Sequence, residues 1–483
     1  MKKVISFLIV FSLIAFSTHA QVSETDKILS DTCSFILTTV QNPQISSIGG
    51  EWSVIGLSAS GNEIPKEYFD TYYNNVETEV KEKSGILHSR KYTEYARVVI
   101  ALTLIGKNPR DVAGYDLTEP LFDFEKTVTQ GLNGAIWALI ALDSGNYGDS
   151  QIKQKYVEYI LERQLEDGGW AIGKNETAPD CDITAMALTA LSSHTKEYGV
   201  SEAIDRSLAF LSKIQDENGG FSTYSEKSSE SISQVITALS SLGIDAETFS
   251  KNGRTPIDAL LDYYEEGKGF SHTLGGETNL MATEQALYAL SAEKHLKNGE
   301  MPIFRTCKFY DIAGNKNETA ILKLSKKGII SGMGSNAFAP EDNLTRAQFT
   351  VLLTKALNLG TTKEQYFSDI DKDDWCFEYV NSAYENGLVF GVSENEFNPY
   401  GNITVEEAAA ILSRASDLCG IKEIADRTDT VLLPDVSVWA EDSVDFCLDT
   451  GILDDINFSG KTVLMRSQIA QMIYNMLKKA EKI

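Results

Sequence analysis

The chain has 483 residues, 42% of them apolar and 23% charged, and carries a formal net charge of −26. That length exceeds what one ordinary core holds, so two or more domains are expected, and the composition is globular rather than disordered. So acidic a surface argues against nucleic acid and anionic membranes as partners and suits a protein that stays soluble outside a cell.

Residues 1–20 read as a secretory signal peptide. Lys2 and Lys3 precede an apolar run from Val4 to Phe16, and Thr18-His19-Ala20 forms a small-x-small cleavage site. The run is short for a bilayer span, and no later stretch is long and apolar enough to be one. The six cysteines (Cys33, Cys181, Cys307, Cys376, Cys419, Cys447) lie far apart with no C-x-x-C pair. Neither a disulfide framework nor a zinc site follows from that spacing, and the pairing stays open.

From residue 21 to residue 296 the chain reads as pairs of helices, one outer and one inner. Thr25 to Val40 is the first outer helix, and Gly49-Gly50-Glu51-Trp52 opens the small-residue run SVIGLSASG. Pro65 to Val80 and Thr93 to Ile105 make the second pair; a short piece near Leu121 to Thr127 and Leu132 to Leu142 make the third. Gln151 to Arg163, Glu202 to Ile214 and Pro256 to Tyr264 are the later outer helices. Their inner partners are Asp182 to Leu191, Glu230 to Leu242 and Met281 to Leu290.

Two periodicities separate the classes. In an outer helix Ile204, Leu208, Leu211 and Ile214 form one apolar stripe among charges. In an inner helix Ile183, Ala185, Met186, Ala187, Leu188, Ala190 and Leu191 leave almost no polar face, so it is buried and its alanines let neighbours approach. The pattern recurs about every 40 to 50 residues, the signature of a repeat array. Gly-Gly-aromatic turns (ending in Trp52, Trp170 and Phe221) let the backbone turn sharply and set a ring in the seam between pairs.

QLEDGGW, QDENGGF and DCDITAMALTAL resemble the repeats of the prenyltransferase and terpene-cyclase superfamily. The resemblance implies an all-α fold, an α/α toroid of six inner and six outer helices. GGEWSVIGLSASG, TEYARVVIALTLIGKNP and QGLNGAIWALIALDSGNYG are similar to exported toroids near the helical domain of cobalamin carriers.

The chemistry of the toroid is less specific. Class II cyclases protonate an alkene through a D-x-D-D motif, and here Asp180-Cys181-Asp182-Ile183 lacks the last carboxylate. No histidine stands beside Cys181 to complete a zinc site, so no metal and no resident cofactor are expected. Nine residues before Leu142, Leu191 and Leu239 stand Asn133, Asp182 and Glu230, with Glu94 and Glu284 near the starts of two further inner helices. These side chains, with Asp180, Trp170 and Phe221, are expected at one mouth of the ring, either capping helices or forming a polar rim for a ligand. Three readings stay open. The toroid is a binding module for a small molecule of cobamide type, a glycan or a peptide; a cyclase- or lyase-type enzyme with Asp182 as acid; or a structural envelope subunit.

After His295 the pattern changes. Residues 297–304 read as a linker, and a new unit repeats over 305–360, 365–420 and 431–480. Its copies run Phe309-Tyr310-Asp311, Gly328-Ile329-Ile330-Ser331-Gly332, Phe338-Ala339-Pro340 and Leu344-Thr345-Arg346, then Phe367-Ser368-Asp369, Trp375, Phe397-Asn398-Pro399 and Ile403-Thr404-Val405, then Pro434-Asp435, Trp439 and Leu464-Met465-Arg466. These units resemble S-layer homology (SLH) modules. The resemblance implies a three-module helical spindle that binds an anionic, often pyruvylated, secondary cell-wall polysaccharide on a Gram-positive-type wall. On the matching positions it implies Arg346 and Arg466 as polymer contacts, with Asp311, Asp369 and Asp435 at the module starts. The second unit has Val405 in place of the arginine, the first has Glu318 where the tryptophan is expected, and the third lacks F-x-P. The whole chain is thus expected to be a secreted cell-surface protein, anchored by its modules and displaying a toroid.

Overall fold

The computed structural model describes residues 24–173, 175–223, 226–305, 308–422, 433–454 and 457–483. Residues 1–20, expected as a signal peptide, and Cys307 lie outside the described residues. Twelve helices build the first domain: α1 (Glu24–Thr39), α2 (Trp52–Ala59), α3 (Lys66–Glu82), α4 (Tyr92–Leu104), α5 (Phe124–Thr127), α6 (Gly131–Ser144), α7 (Ser150–Leu161), α8 (Cys181–Leu191), α9 (Val200–Ile214), α10 (Ser229–Ser241), α11 (Pro256–Leu261) and α12 (Leu280–Lys297). The even-numbered helices are the inner ones. Each packs on the next, and α12 returns to pack on α2, so the inner ring closes. Among the described residues one hairpin of two-residue strands, β1 (Ser222–Thr223) with antiparallel β2 (Glu226–Lys227), stands before α10.

Inner and outer helices differ as their patterns require. On α9, Val200, Ala203, Ile204, Ser207, Phe210 and Leu211 are buried along one side. On α6, the run Gly134 to Leu142 is buried without a break. The seams between pairs are fixed by a recurring clasp. Trp170 is fully buried, its backbone N–H donates to the Thr184 hydroxyl (2.9 Å) and its indole N–H to the Ile160 carbonyl (2.7 Å). Phe270 repeats the arrangement, its N–H donating to the Thr283 hydroxyl (2.9 Å). In two of these turns an opening glutamine ties the turn to the next outer layer: the Gln164 amide donates to the carbonyls of Gly168 (2.9 Å) and Ala203 (2.8 Å), and that of Gln215 to those of Gly219 (2.9 Å) and Phe249 (3.1 Å).

Residues 297–304, expected as a linker, are docked. Ile303 and Phe304 are buried in the toroid core, Phe304 packing edge-on against Trp137 (5.9 Å) and near Tyr288 (6.1 Å). Apolar side chains are better placed in that opening than in water, so the segment closes one end of the ring.

The second domain comprises α13 (Glu318–Lys326), α14 (Arg346–Ala356), α15 (Phe377–Glu385), α16 (Val405–Leu418), α17 (Glu441–Asp449) and α18 (Arg466–Lys479). Each long helix packs on the short helix of the following unit: α14 on α15, α16 on α17, and α18 back on α13. Thr345 and Thr404 head capping boxes with Gln348 and Glu407. The first unit also touches the toroid, where Asn336 N–H donates to the Gly145 carbonyl (2.8 Å) and Ser335 N–H to that of Asn146 (3.2 Å). Among the described residues no helix is long and apolar enough to cross a membrane.

Gly168 has φ +96°, and a Cβ there would lie 2.5 Å from the Arg206 carbonyl oxygen. Gly168→Ala is expected to lower unfolding free energy by about 2 kcal/mol in urea titrations followed by tryptophan emission. Gly360→Ala, where the added atom meets nothing within 4 Å, should stay within about 0.5 kcal/mol of the parent.

Candidate functional site

The inner helices begin at one end of the ring, and their first two turns enclose a cup of about 480 Å³. Two rows line it. Thr93, Asn133, Asp182, Glu230 and Met281 stand in the first turn of α4, α6, α8, α10 and α12; Arg97, Trp137, Met186, Gln234 and Gln285 stand four residues further on. Residues four apart lie on one helix face, so each helix supplies one residue to each row. Trp52 and Tyr288 complete an aromatic side, with ring centroids 5.0 Å (Trp52–Trp137) and 5.7 Å (Trp52–Tyr288) apart. Thr223, Glu226, Ser231 and His272 lie at the mouth.

The opposite side is acidic and incompletely partnered. Glu230 is 6% exposed; one carboxylate oxygen meets His272 Nδ1 (2.8 Å) and the Ser229 hydroxyl (3.2 Å), and the other has no partner. Asp182 Oδ1 is likewise buried without a partner. Burial pushes Asp182 up to about 6; the hydroxyls of Ser231 and Thr223 oppose this and the nearby Asp180 charge adds to it. Arg97 donates to the buried Glu51 (3.2 Å), which also accepts from Ser46 N–H and the Tyr72 hydroxyl. Even so, burial lifts Glu51 to about 7. Gln234 donates to Tyr288 (2.7 Å) and Gln285 (3.0 Å), which fixes the amides of the second row.

Of the expected rim, Asn133, Asp182 and Glu230 line the cup. The others are placed elsewhere, each for a physical reason. Glu94 follows Thr93 by one residue and is turned about 100° away from it around the helix. Asp180 caps α8, its carboxylate accepting from Ile183 N–H (2.9 Å). Trp170 and Phe221 are wholly buried in the seams. Glu284 accepts from Gly49 N–H (2.9 Å) and the Ser53 hydroxyl, joining α12 to the first repeat.

The second domain redistributes its expected contacts too. Both Asp311 oxygens accept from the F-x-P loop, at Phe338 N–H (2.8 Å) and Ala339 N–H (2.7 Å), and Asp369 does the same to Phe397 (2.8 Å) and Asn398 (2.7 Å). Arg346, 6% exposed, donates to the Phe397 carbonyl (3.0 Å) and Glu407 (2.8 Å), so it is a strut between the first and second units. Arg466, half-buried, donates to the carbonyls of Phe338 (2.9 Å) and Ser331 (3.0 Å), joining the third unit to the first. Each arginine also stacks on the phenylalanine of that loop. Val405 and the missing third F-x-P are thus two halves of one absent contact. Glu406–Lys461 and the bond from Ser437 N–H to Glu406 (2.8 Å) stand there instead. Asp435 is exposed. Trp375 and Trp439, each two residues before a short helix, are 53% and 61% exposed. Lys316, rather than Glu318, occupies the corresponding place before α13.

A closed ring of inner helices joined to cyclically packed helix pairs defines a prenyltransferase-type α/α toroid with SLH modules. The chain matches the prenyltransferase alpha-alpha toroid domain over residues 118–300 and the S-layer homology domain over 308–350 and 366–409, and it carries both. It is 33% identical over 168 residues to an endoglucanase of Bacillus sp. (strain KSM-635), covering 33% of this chain and 17% of that protein. It is 31% identical over 156 residues to the surface-layer 125 kDa protein of Lysinibacillus sphaericus, covering 32% and 13%. The chain thus spans less than a fifth of the length of these curated relatives. Among solved structures, protein geranylgeranyltransferase-I of Candida albicans is similar with a TM-score of 0.41 and 12% identity, covering 61% of this chain and 98% of that one. The modules and the surface-layer relative mark the chain as a cell-surface, wall-associated protein.

Asp182, Glu51 and Glu284 all titrate above their ordinary values of 3.8, 4.5 and 4.5, at about 6, 7 and 7. A raised folded-state value stabilises below the unfolded value and loses that contribution as pH rises through the folded one. The toroid should therefore weaken as pH rises from about 4 to about 8. Asp182→Asn should remove part of that slope, adding about 2 kcal/mol near pH 8 and nothing near pH 4, as read from urea midpoints at each pH.

Proposed function

We propose that the protein is a wall-anchored receptor: the SLH modules hold the secondary cell-wall polysaccharide, and the central cup of the toroid holds a small ligand. The observation that carries the second half is the cup itself, closed below by Trp137 and Phe304 and open where the inner helices begin. Concave sites with an aromatic wall and a few convergent polar groups are the usual form of small-molecule sites. Its volume suits a compact ligand, and a corrin macrocycle would overfill it, which counts against a cobamide. A glycan would enter only by one terminal residue.

A cyclase- or lyase-type activity has one observation in its favour, the Asp182 carboxyl on the wall of the cup, raised to about 6 by burial. The lining opposes it. Asn133, Gln234, Gln285 and Ser231 would leave polar groups unmet beside a hydrocarbon substrate.

In the anchor, polymer contact is assigned to the exposed Trp375 and Trp439 and to the accessible edge of Arg466, because Arg346, Asp311 and Asp369 are committed to internal bonds. Aromatic faces stack on sugar rings and a guanidinium meets their acidic groups.

The full chain should pellet with purified walls and lose that ability once the secondary polymer is stripped; pelleting that survives stripping contradicts the anchor. Trp375→Ala combined with Trp439→Ala should weaken pelleting about tenfold or more, and Arg346→Ala should instead lower the unfolding midpoint of the modules. For the cup, Met186→Phe adds a ring to the second row. It should abolish retention of small molecules from envelope extracts in equilibrium dialysis, and unchanged retention contradicts the site.

A further inference from the structure

The charge and shape of the cup narrow its ligand, an inference that rests on the cup being a binding site. Asp182, Glu226 and Glu230 face it, and Arg97, the one arginine or lysine among its described lining residues, is already engaged by Glu51. Glu230 keeps one oxygen without a partner although the residue is 6% exposed, and Asp182 Oδ1 is in the same condition. Those two oxygens are shielded from the cup itself, so an occupant answers these carboxylates through its charge: a buried negative charge left without a donor is costly, and the favourable occupant is positively charged. His272 supplies only part of this, meeting Glu230 at 2.8 Å and lying 3.7 Å from Glu226.

The aromatic side agrees. The ring planes of Trp52 and Trp137 meet at 61°, and those of Trp52 and Tyr288 at 43°. Rings so inclined form a corner rather than a flat platform. Such a corner offers no broad flat face for a sugar ring to stack on, and aromatic rings attract a compact cation. Anions are repelled by the three carboxylates, and an uncharged apolar ligand would leave them unmet.

We propose that the cup binds an organic cation, an ammonium-bearing small molecule whose charged nitrogen sits between the Asp182 and Glu230 carboxylates and the Trp52–Trp137–Tyr288 corner. The Gln234 and Gln285 amides and the mouth hydroxyls of Thr223 and Ser231 are placed to meet the polar remainder of the ligand.

The test titrates the full chain by calorimetry and tryptophan quenching with choline, with its neutral isostere 3,3-dimethylbutan-1-ol, with glucose and with inorganic phosphate. Choline should bind about tenfold or more tightly than the isostere, and phosphate should not bind. Asp182→Asn and Glu230→Gln should each weaken choline about tenfold while leaving the isostere unchanged. Asp182→Asn is expected to be at least as stable as the parent, so its loss of binding does not reflect misfolding. Equal affinity for choline and the isostere, binding of phosphate, or choline affinity indifferent to both substitutions overturns the cation assignment. Binding of glucose or the isostere without choline overturns it too but leaves the cup standing as a site. Failure of all four probes overturns both.

Discussion

One buried carboxylate fastens the closure of the inner ring. Glu284, on the last inner helix, accepts from Gly49 N–H and from the Ser53 hydroxyl in the first repeat, residues more than two hundred positions away in sequence. With α12 held against α2, the six inner helices form a ring rather than an open stack. Glu51 extends the seam to Tyr72 and Arg97, so the first repeat is bonded to both of its neighbours. Ring closure is entropically expensive over such a span, and the apolar faces of the inner helices supply the compensating burial. The second domain solves the same problem with arginines. Arg346 ties the first unit to the second and Arg466 ties the third to the first, while the remaining junction uses Glu406 and Lys461.

A closed ring also brings all the inner helix starts to one end. Helix N-termini favour negative charge, which suits Asp182 and Glu230, but that effect is worth about 1 kcal/mol or less at such positions. Burial wins over it at Asp182, which titrates near 6 rather than below its ordinary 3.8; a shift of that size corresponds to about 3 kcal/mol. The carboxylate is therefore held at a cost within the fold. A carboxylate kept under those conditions on the wall of a cavity is better explained by the charge of what enters the cavity than by the packing of the empty protein.

The helices of the toroid were legible because the two helix classes differ so strongly in pattern, and the all-α toroid agrees with the domain match. The front row of the cup was partly legible for the same reason: a common offset from closing leucines picked out Asn133, Asp182 and Glu230. The second row, Arg97, Trp137, Met186, Gln234 and Gln285, follows by adding four to each register, a step the sequence permits but whose outcome reads as ordinary core. Trp170 and Phe221 misled because a ring beside Gly-Gly is close to the mouth in sequence yet lies in the seam. Arg346 misled for a different reason. Its partner Phe397 belongs to the next unit, and only the cyclic packing of the modules reveals that a residue expected to meet polymer is a strut. The segment 297–304, polar enough to read as a tether, hides Ile303 and Phe304, whose burial depends on the open end of a ring that local sequence does not describe.

The central claim, that the toroid is a receptor whose cup is completed by a ligand, is tested most directly by native mass spectrometry of the full chain released gently from its own cell walls. The account predicts a single small-molecule adduct on the parent chain, one that leaves as a positive ion on collisional activation and is missing from the Glu230→Gln chain. A parent chain with no adduct, or an adduct retained equally by Glu230→Gln, would contradict it.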